Sequence, residues 1–215
     1  MIDATRTATS PKSLDSKKSY SGEDVRDQLF LDYLGKCYLC EGLITRGGFE
    51  IDHRHPCNDG GAEHTWLNLF PACRICNGAR KRKYPSGGLL NPGEHPVEVR
   101  LHQYMSSVGG HELPHFKAAT INDLAAANTA HELQELHQEK GERSADLCSA
   151  ITRYINEVRK KALALYDARE IHGPNSLQFK QIESELQRMV SRKAPYTALV
   201  RSCLAVSPIV RALFD

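Results

Sequence analysis

The stretch that decides the fold opens with Cys37-Tyr38-Leu39-Cys40-Glu41 and continues with Glu50-Ile51-Asp52-His53-Arg54-His55-Pro56. It then runs through Trp66-Leu67-Asn68-Leu69 and closes on Cys73-Arg74-Ile75-Cys76-Asn77. A C-x-x-C pair brings two thiolates to one side of a tight turn, and a tetrahedral zinc needs that geometry twice. Residues 41–72 separate the two pairs, so a structured insertion lies between the knuckles. Two such pairs without a βαβ pattern favour structural zinc on Cys37, Cys40, Cys73 and Cys76 over a redox motif. Four sulfurs close the coordination sphere, so this metal would hold the fold and leave the chemistry to the insertion.

Cys57, Cys148 and Cys203 stand alone among the seven cysteines. An odd count with three unpartnered thiols argues against a secreted disulfide framework and for a reducing, cytoplasmic setting.

Working outward, 215 residues allow one ordinary domain or two small ones. Hydrophobic residues at 40% and charged ones at 25% are the composition of a globular chain rather than a disordered one. No apolar run approaches the roughly 18 residues of a membrane-spanning helix. Residues 1–22 are rich in Ser, Thr, Lys and Asp and read as a flexible tail. A short helix is expected over 24–34, where Val25, Leu29, Phe30 and Leu34 recur at helical spacing. Residues 23–85 form the cysteine-bearing core of short strands, turns and one terminal helix. Residues 86–117, with Pro92, Pro96, Pro114 and two Gly-Gly steps, read as a loop or linker. From 118 to 215 the chain reads as a helical domain. Ile151, Tyr154, Ile155, Val158, Ala162 and Leu165 share one helical face, and Gly173-Pro174 breaks that helix. Phe179, Ile182, Leu186, Met189 and Val190 mark a second helix, and a third is expected near 196–204. The fold class is α+β, a small zinc-stabilised core carried on a mostly helical body.

Net charge is +2, too small to announce a nucleic-acid binder. Its distribution says more, because Arg74, Arg80, Lys81, Arg82 and Lys83 fall within residues 71–85 without a single acid. That basic run is where phosphates would arrive.

The order Asp-His…Pro, Asn-Leu, Cys-x-x-Cys-Asn resembles the HNH endonucleases of the ββα-metal superfamily in their four-cysteine form. It looks closer still to the HNH subunits (PtuB-like proteins) of Septu-type and retron-associated anti-phage systems. Cys37 to Glu41, Asp52-His53, Trp66 to Leu69 and Cys73 to Tyr84-Pro85 carry that likeness, and Leu89-Leu90-Asn91-Pro92 extends it weakly. Two departures keep their charge: Arg80 stands where the family usually has Lys, and Asp52 where this branch often has Glu.

The resemblance implies a metal-dependent endonuclease acting on phosphodiester bonds, with DNA ahead of RNA as substrate. His53 would be the general base, since an imidazole with a pKa of about 6.5 can accept a proton at neutral pH. Asn68 would orient His53, and Asn77 stands where the family's third motif residue is often His. Asp52 and Asn77 would supply oxygen ligands to a catalytic Mg²⁺ or Mn²⁺. An ABC/SMC-like ATPase partner is likewise implied, and no P-loop is present in this chain to serve in its place. The rival from another class is a non-catalytic zinc module that binds nucleic acid or tethers a complex. His111-Glu112-Leu113-Pro114-His115 matches the H-E-x-x-H protease pattern, but that motif needs a helix and Pro114 forbids one.

Overall fold

The computed structural model describes residues 1–16, 19–108, 111–138 and 141–215. Helices α1 (Lys12–Asp15) and α2 (Glu23–Asp32) precede strands β1 (Glu50–His53) and β2 (Leu69–Ala72), which lead into helix α3 (Arg74–Ala79). Helix α4 (Val97–Arg100) is followed by strands β3 (Leu101–Val108) and β4 (His111–Ala118). Helices α5 (Leu124–Leu136), α6 (Glu142–His172), α7 (Leu177–Val190), α8 (Thr197–Leu204) and α9 (Pro208–Arg211) complete the chain. Two compact units result, one of residues 1–102 and 116–136, the other of 103–115 and 137–215.

In the first unit β1 and β2 pair antiparallel, Glu50 opposite Ala72 and His53 opposite Leu69. The ladder runs one step further through Arg54 N–H to the Asn68 carbonyl at 2.9 Å. Strand β2 is buried along its whole length, with Leu69, Phe70 and Ala72 fully enclosed. Pro71 can sit in it because its carbonyl points away from β1 and accepts from Tyr38 N–H at 2.9 Å. The Phe70 ring packs 4.8 Å from Tyr38 and 5.8 Å from Tyr33, and Val25 and Leu29 of α2 are fully buried in the same unit.

The amino-terminal residues depart from a flexible tail. Ala4 N–H donates to the Pro92 carbonyl, and Asp3 Oδ1 accepts from Val97 and Glu98 N–H. Arg6 donates to the carbonyls of Leu69 and Trp66 and lies 3.9 Å over the Trp66 ring, while Trp66 Nε1 donates to the Thr7 carbonyl. Polar composition suggested mobility, but these side chains satisfy backbone groups that a small core leaves open.

The stretch 86–117 differs in the same way, holding α4, β3 and most of β4, with β3 and β4 paired as a two-stranded sheet. A two-stranded sheet has only edges, so the missing N–H of Pro114 is tolerated. Helix α5 belongs to the first unit rather than to the later helices. Thr129 Oγ1 accepts from Leu90 N–H, and Asn128 Nδ2 donates to the carbonyls of Ser86 and Gly88.

In the second unit α6 ends at Gly173, whose φ of 79° only glycine adopts freely, and α7 follows. Ile151, Ile155, Val158, Ala162 and Leu165 are buried along α6, and Phe179, Leu186 and Val190 along α7, as the periodicity predicts. Residues 111–115 lie on a strand, so no helical face can join positions 111 and 115. Glu112 pairs with Arg159 at 2.6 Å, His115 packs on Tyr104, and the side chain of His111 lies outside the described residues. No helix among the described residues is long and apolar enough to cross a membrane.

Phe70 is the largest fully enclosed side chain beneath the hairpin. Phe70→Ala is expected to cost about 3–5 kcal/mol of stability, read as a shift of the urea midpoint in the zinc-loaded protein. A loss below about 1 kcal/mol would place the core elsewhere.

Candidate functional site

Cys37 and Cys40 sit on a tight turn closed by Cys37 N–H to the Gly42 carbonyl and Glu41 N–H to the Cys37 carbonyl, both 2.9 Å. Glu41 holds φ at 61°, a left-handed position that lets the chain double back directly after Cys40. The second pair opens α3, with Cys73 at the cap position accepting from Cys76 N–H through its sulfur. The four sulfurs lie within 4.8 Å of one another, and those of Cys40 and Cys73 are 3.9 Å apart. Tetrahedral zinc with bonds of about 2.3 Å sets its sulfurs about 3.8 Å apart, so this donor set fits zinc. The Cys73 thiol is pulled far below its usual range, first by the Cys37 sulfur and then by Cys40 and Cys76. Cys40 and Cys76 are pushed well above it, each first by Cys37. Four crowded thiolates repel one another, and a divalent cation held between them would relieve that repulsion.

From this cluster the site is built outward. Tyr38, inside the first knuckle, donates its hydroxyl to Asp52 Oδ2. Burial, and next the Asp52 charge, push the Tyr38 phenol well above its usual range, so it acts as a neutral donor. Arg80, just past the end of α3, reaches back across β1. Its Nη1 meets Asp52 Oδ2 and the His53 carbonyl, its Nη2 the Arg54 carbonyl at 2.7 Å, and its Nε Glu132 of α5 at 2.7 Å. Burial works against the Arg80 charge, and the facing carboxylates of Asp52 and Glu132 favour it, so the guanidinium is held above its usual value.

This geometry redistributes the roles expected from sequence. Asp52 is buried and engaged by Tyr38 and Arg80, so its carboxylate does not stand open beside Asn77. Asn77 instead donates Nδ2 to Glu50 Oε2 at 2.6 Å on the exposed side of the hairpin. Asn68 does not touch the His53 ring. Its Oδ1 accepts from His55 N–H, and its Nδ2 donates to the carbonyls of His55 and Ala62, which fixes the loop leaving β1. Arg80 is a buried clamp and not a phosphate contact, because its side chain keeps only 5% exposure. Arg74, Lys81, Arg82 and Lys83 remain at the surface, with Lys81 paired to Glu135 at 2.6 Å.

His53 is half-buried at the end of β1, edge-on to Tyr20 at 4.7 Å. Its Nε2 lies 3.0 Å from the Glu63 carbonyl, which can only accept. Nε2 therefore carries the proton in the neutral ring, and Nδ1 is left with the free lone pair. Glu50 was legible as an acid two residues before Asp52, hence on the same face of a strand. Tyr38 and Glu132 had no such signal.

The HNH endonuclease family model matches residues 37–83, from the first cysteine through the basic run. No curated protein and no solved structure matches the chain. That match points to nuclease chemistry for residues 37–83, and all four clustered cysteines fall within it.

Removing Arg80 would strand two buried carboxylates. Arg80→Ala is expected to cost about 3–5 kcal/mol, the penalty of breaking a buried pair from one side. Arg80→Met with Asp52→Asn and Glu132→Gln should recover most of it. Urea unfolding of the single and triple variants checks both values.

Proposed function

We propose that this protein is a metal-dependent endonuclease of the ββα-metal type, hydrolysing nucleic-acid phosphodiester bonds. The observation that carries the reading is His53, whose Nε2 is held by a backbone carbonyl inside the stretch that matches the HNH family. A ring so oriented presents Nδ1 to a water and can take its proton as the water attacks phosphorus. Glu50 and Asn77, side by side at the exposed face, offer hard oxygens of the kind that hold Mg²⁺ or Mn²⁺. Such an ion, when bound, stabilises charge on the phosphate and the leaving oxygen. Asp52 acts behind them, its charge balanced by Arg80, keeping β1 in register with α3. Zinc on the four cysteines holds hairpin and helix together. Arg74, Arg82 and Lys83 draw the phosphate backbone toward this face.

The likeness of 37–92 to Septu-type HNH subunits supports an anti-phage effector role in the cytoplasm, beside an ABC/SMC-like ATPase that restrains or aims it. Co-purification with such an ATPase tests the partnership.

His53→Ala should lower cleavage of plasmid or RNA in Mg²⁺ or Mn²⁺ by about 10²–10⁴-fold. Binding in a gel-shift assay should change little. Charge reversal at Arg82 and Lys83 should do the opposite, weakening binding and flattening its salt dependence. Wild-type cleavage by the His53→Ala protein would remove the histidine from the reaction. Wild-type protein that binds but never cleaves, with either ion, would favour a non-catalytic module.

A further inference from the structure

Behind the Arg80 clamp lies a cavity of about 90 Å³ in the first unit. Arg80 and Glu132 line it together with Pro85, Leu89, Asn128 and His131. A cavity needs about 10–15 Å³ to admit one water, so this one admits a group the size of a small ring system. The basic run suggests a phosphate as its occupant, but the local charge does not. Arg80 is neutralised by Asp52 and Glu132, and Lys81 by Glu135 at 2.6 Å. Glu132 would repel an anion entering the cavity. Pro85 and Leu89 supply apolar surface, which suits the face of a flat ring.

The polar groups left over are acceptors. Asn128 Nδ2 donates to the carbonyls of Ser86 and Gly88. Both partners can only accept, so the amide orientation is set and Oδ1 is free among the described residues. Glu132 gives Oε1 to Arg80 and keeps Oε2 unengaged among the described residues. Positions 128 and 132 are one turn apart on the same face of α5. A planar, neutral group with two adjacent N–H donors matches this pair.

We infer that the cavity accepts one unstacked nucleobase of the substrate strand, with guanine preferred because its N1–H and N2–H groups meet Glu132 and Asn128. Lys83, an exposed lining residue of the cavity without a carboxylate partner among the described residues, meets the phosphate that follows. This inference rests on the nuclease reading for the polymer that carries the base. A base held here touches Glu132, which holds Arg80, which holds Asp52 and the carbonyl of His53. Recognition of one base would then be wired to the strand that bears the proposed general base.

The test uses the full-length zinc-loaded chain and phosphate-free nucleosides. Guanosine, adenosine, cytidine, uridine and, separately, inorganic phosphate are titrated while backbone amide shifts are followed by NMR. Guanosine should move the amides of Leu89, Asn128 and His131 with millimolar affinity, and the other nucleosides should bind at least about tenfold more weakly. Glu132→Gln keeps an acceptor for Arg80 but replaces the second carboxylate oxygen, and should weaken guanosine by about tenfold or more. Should that variant unfold, His131→Trp serves, since it fills the cavity mouth from an exposed position and should abolish the shifts. No response to any nucleoside, or a response to phosphate at the same amides, overturns the pocket. Cleavage in Mg²⁺ is measured on the same preparation. Cleavage without nucleoside binding removes the pocket alone, and nucleoside binding without cleavage removes the nuclease reading alone.

Discussion

Everything in the first unit depends on four sulfurs meeting at one point. Strands β1 and β2 are four residues each, and a two-stranded hairpin of that length is marginal in water. The first cysteine pair precedes the hairpin and the second follows it, so one ion on the cluster would join its two ends and close a long loop. The knuckle then contributes more than ligands. Tyr38 hands its N–H to Pro71 and its hydroxyl to Asp52, pairing the outer edge of β2 and anchoring β1 in one residue. With a metal on the cluster, hairpin and α3 would form or fail together.

A second constraint is electrostatic. Asp52 and Glu132 are buried carboxylates, and neither is tolerable alone. Arg80 serves both, and its planar fork also satisfies the carbonyls of His53 and Arg54, a set of acceptors that lysine could not reach from one ammonium. The arginine at position 80 is thus coupled to the acid on α5. It ties α5 to β1 within the first unit. Arg54, next along the strand, is enclosed over the rings of Tyr38 and Phe70, so aromatic faces stand in where hydrogen-bond partners do not.

These two constraints leave the working groups at the rim. Glu50 and Asn77 meet each other at an exposed position, and His53 stands half-buried at the end of β1. Of the remaining cations of the basic run, Arg74 opens α3 and Lys81, Arg82 and Lys83 follow it, all exposed. The buried charges set the geometry, and the exposed ones are those the proposed function assigns to the substrate. A strand position one residue off would exchange these faces, which is why the register of β1 against β2 matters more here than the stability of either strand.

The sequence by itself determined the cysteine framework, the HNH motif order, and the helices α2, α6, α7 and α8, because ligand spacing and apolar periodicity are local properties. His53 was marked by its neighbours in the motif, and Glu50 was within reach of the same alternation argument. Only the tertiary structure decided that Asn68 holds the His55 loop rather than the His53 ring, that Asn77 faces Glu50, and that Arg80 is inside. Each of those choices pairs residues between 13 and 52 positions apart. The same holds for the amino-terminal segment, whose polar residues look solvated until the carbonyls of Leu69, Pro92 and Trp66 are placed beside them. A polar side chain reads as surface in a sequence, and whether it is surface depends on which distant backbone group needs a partner.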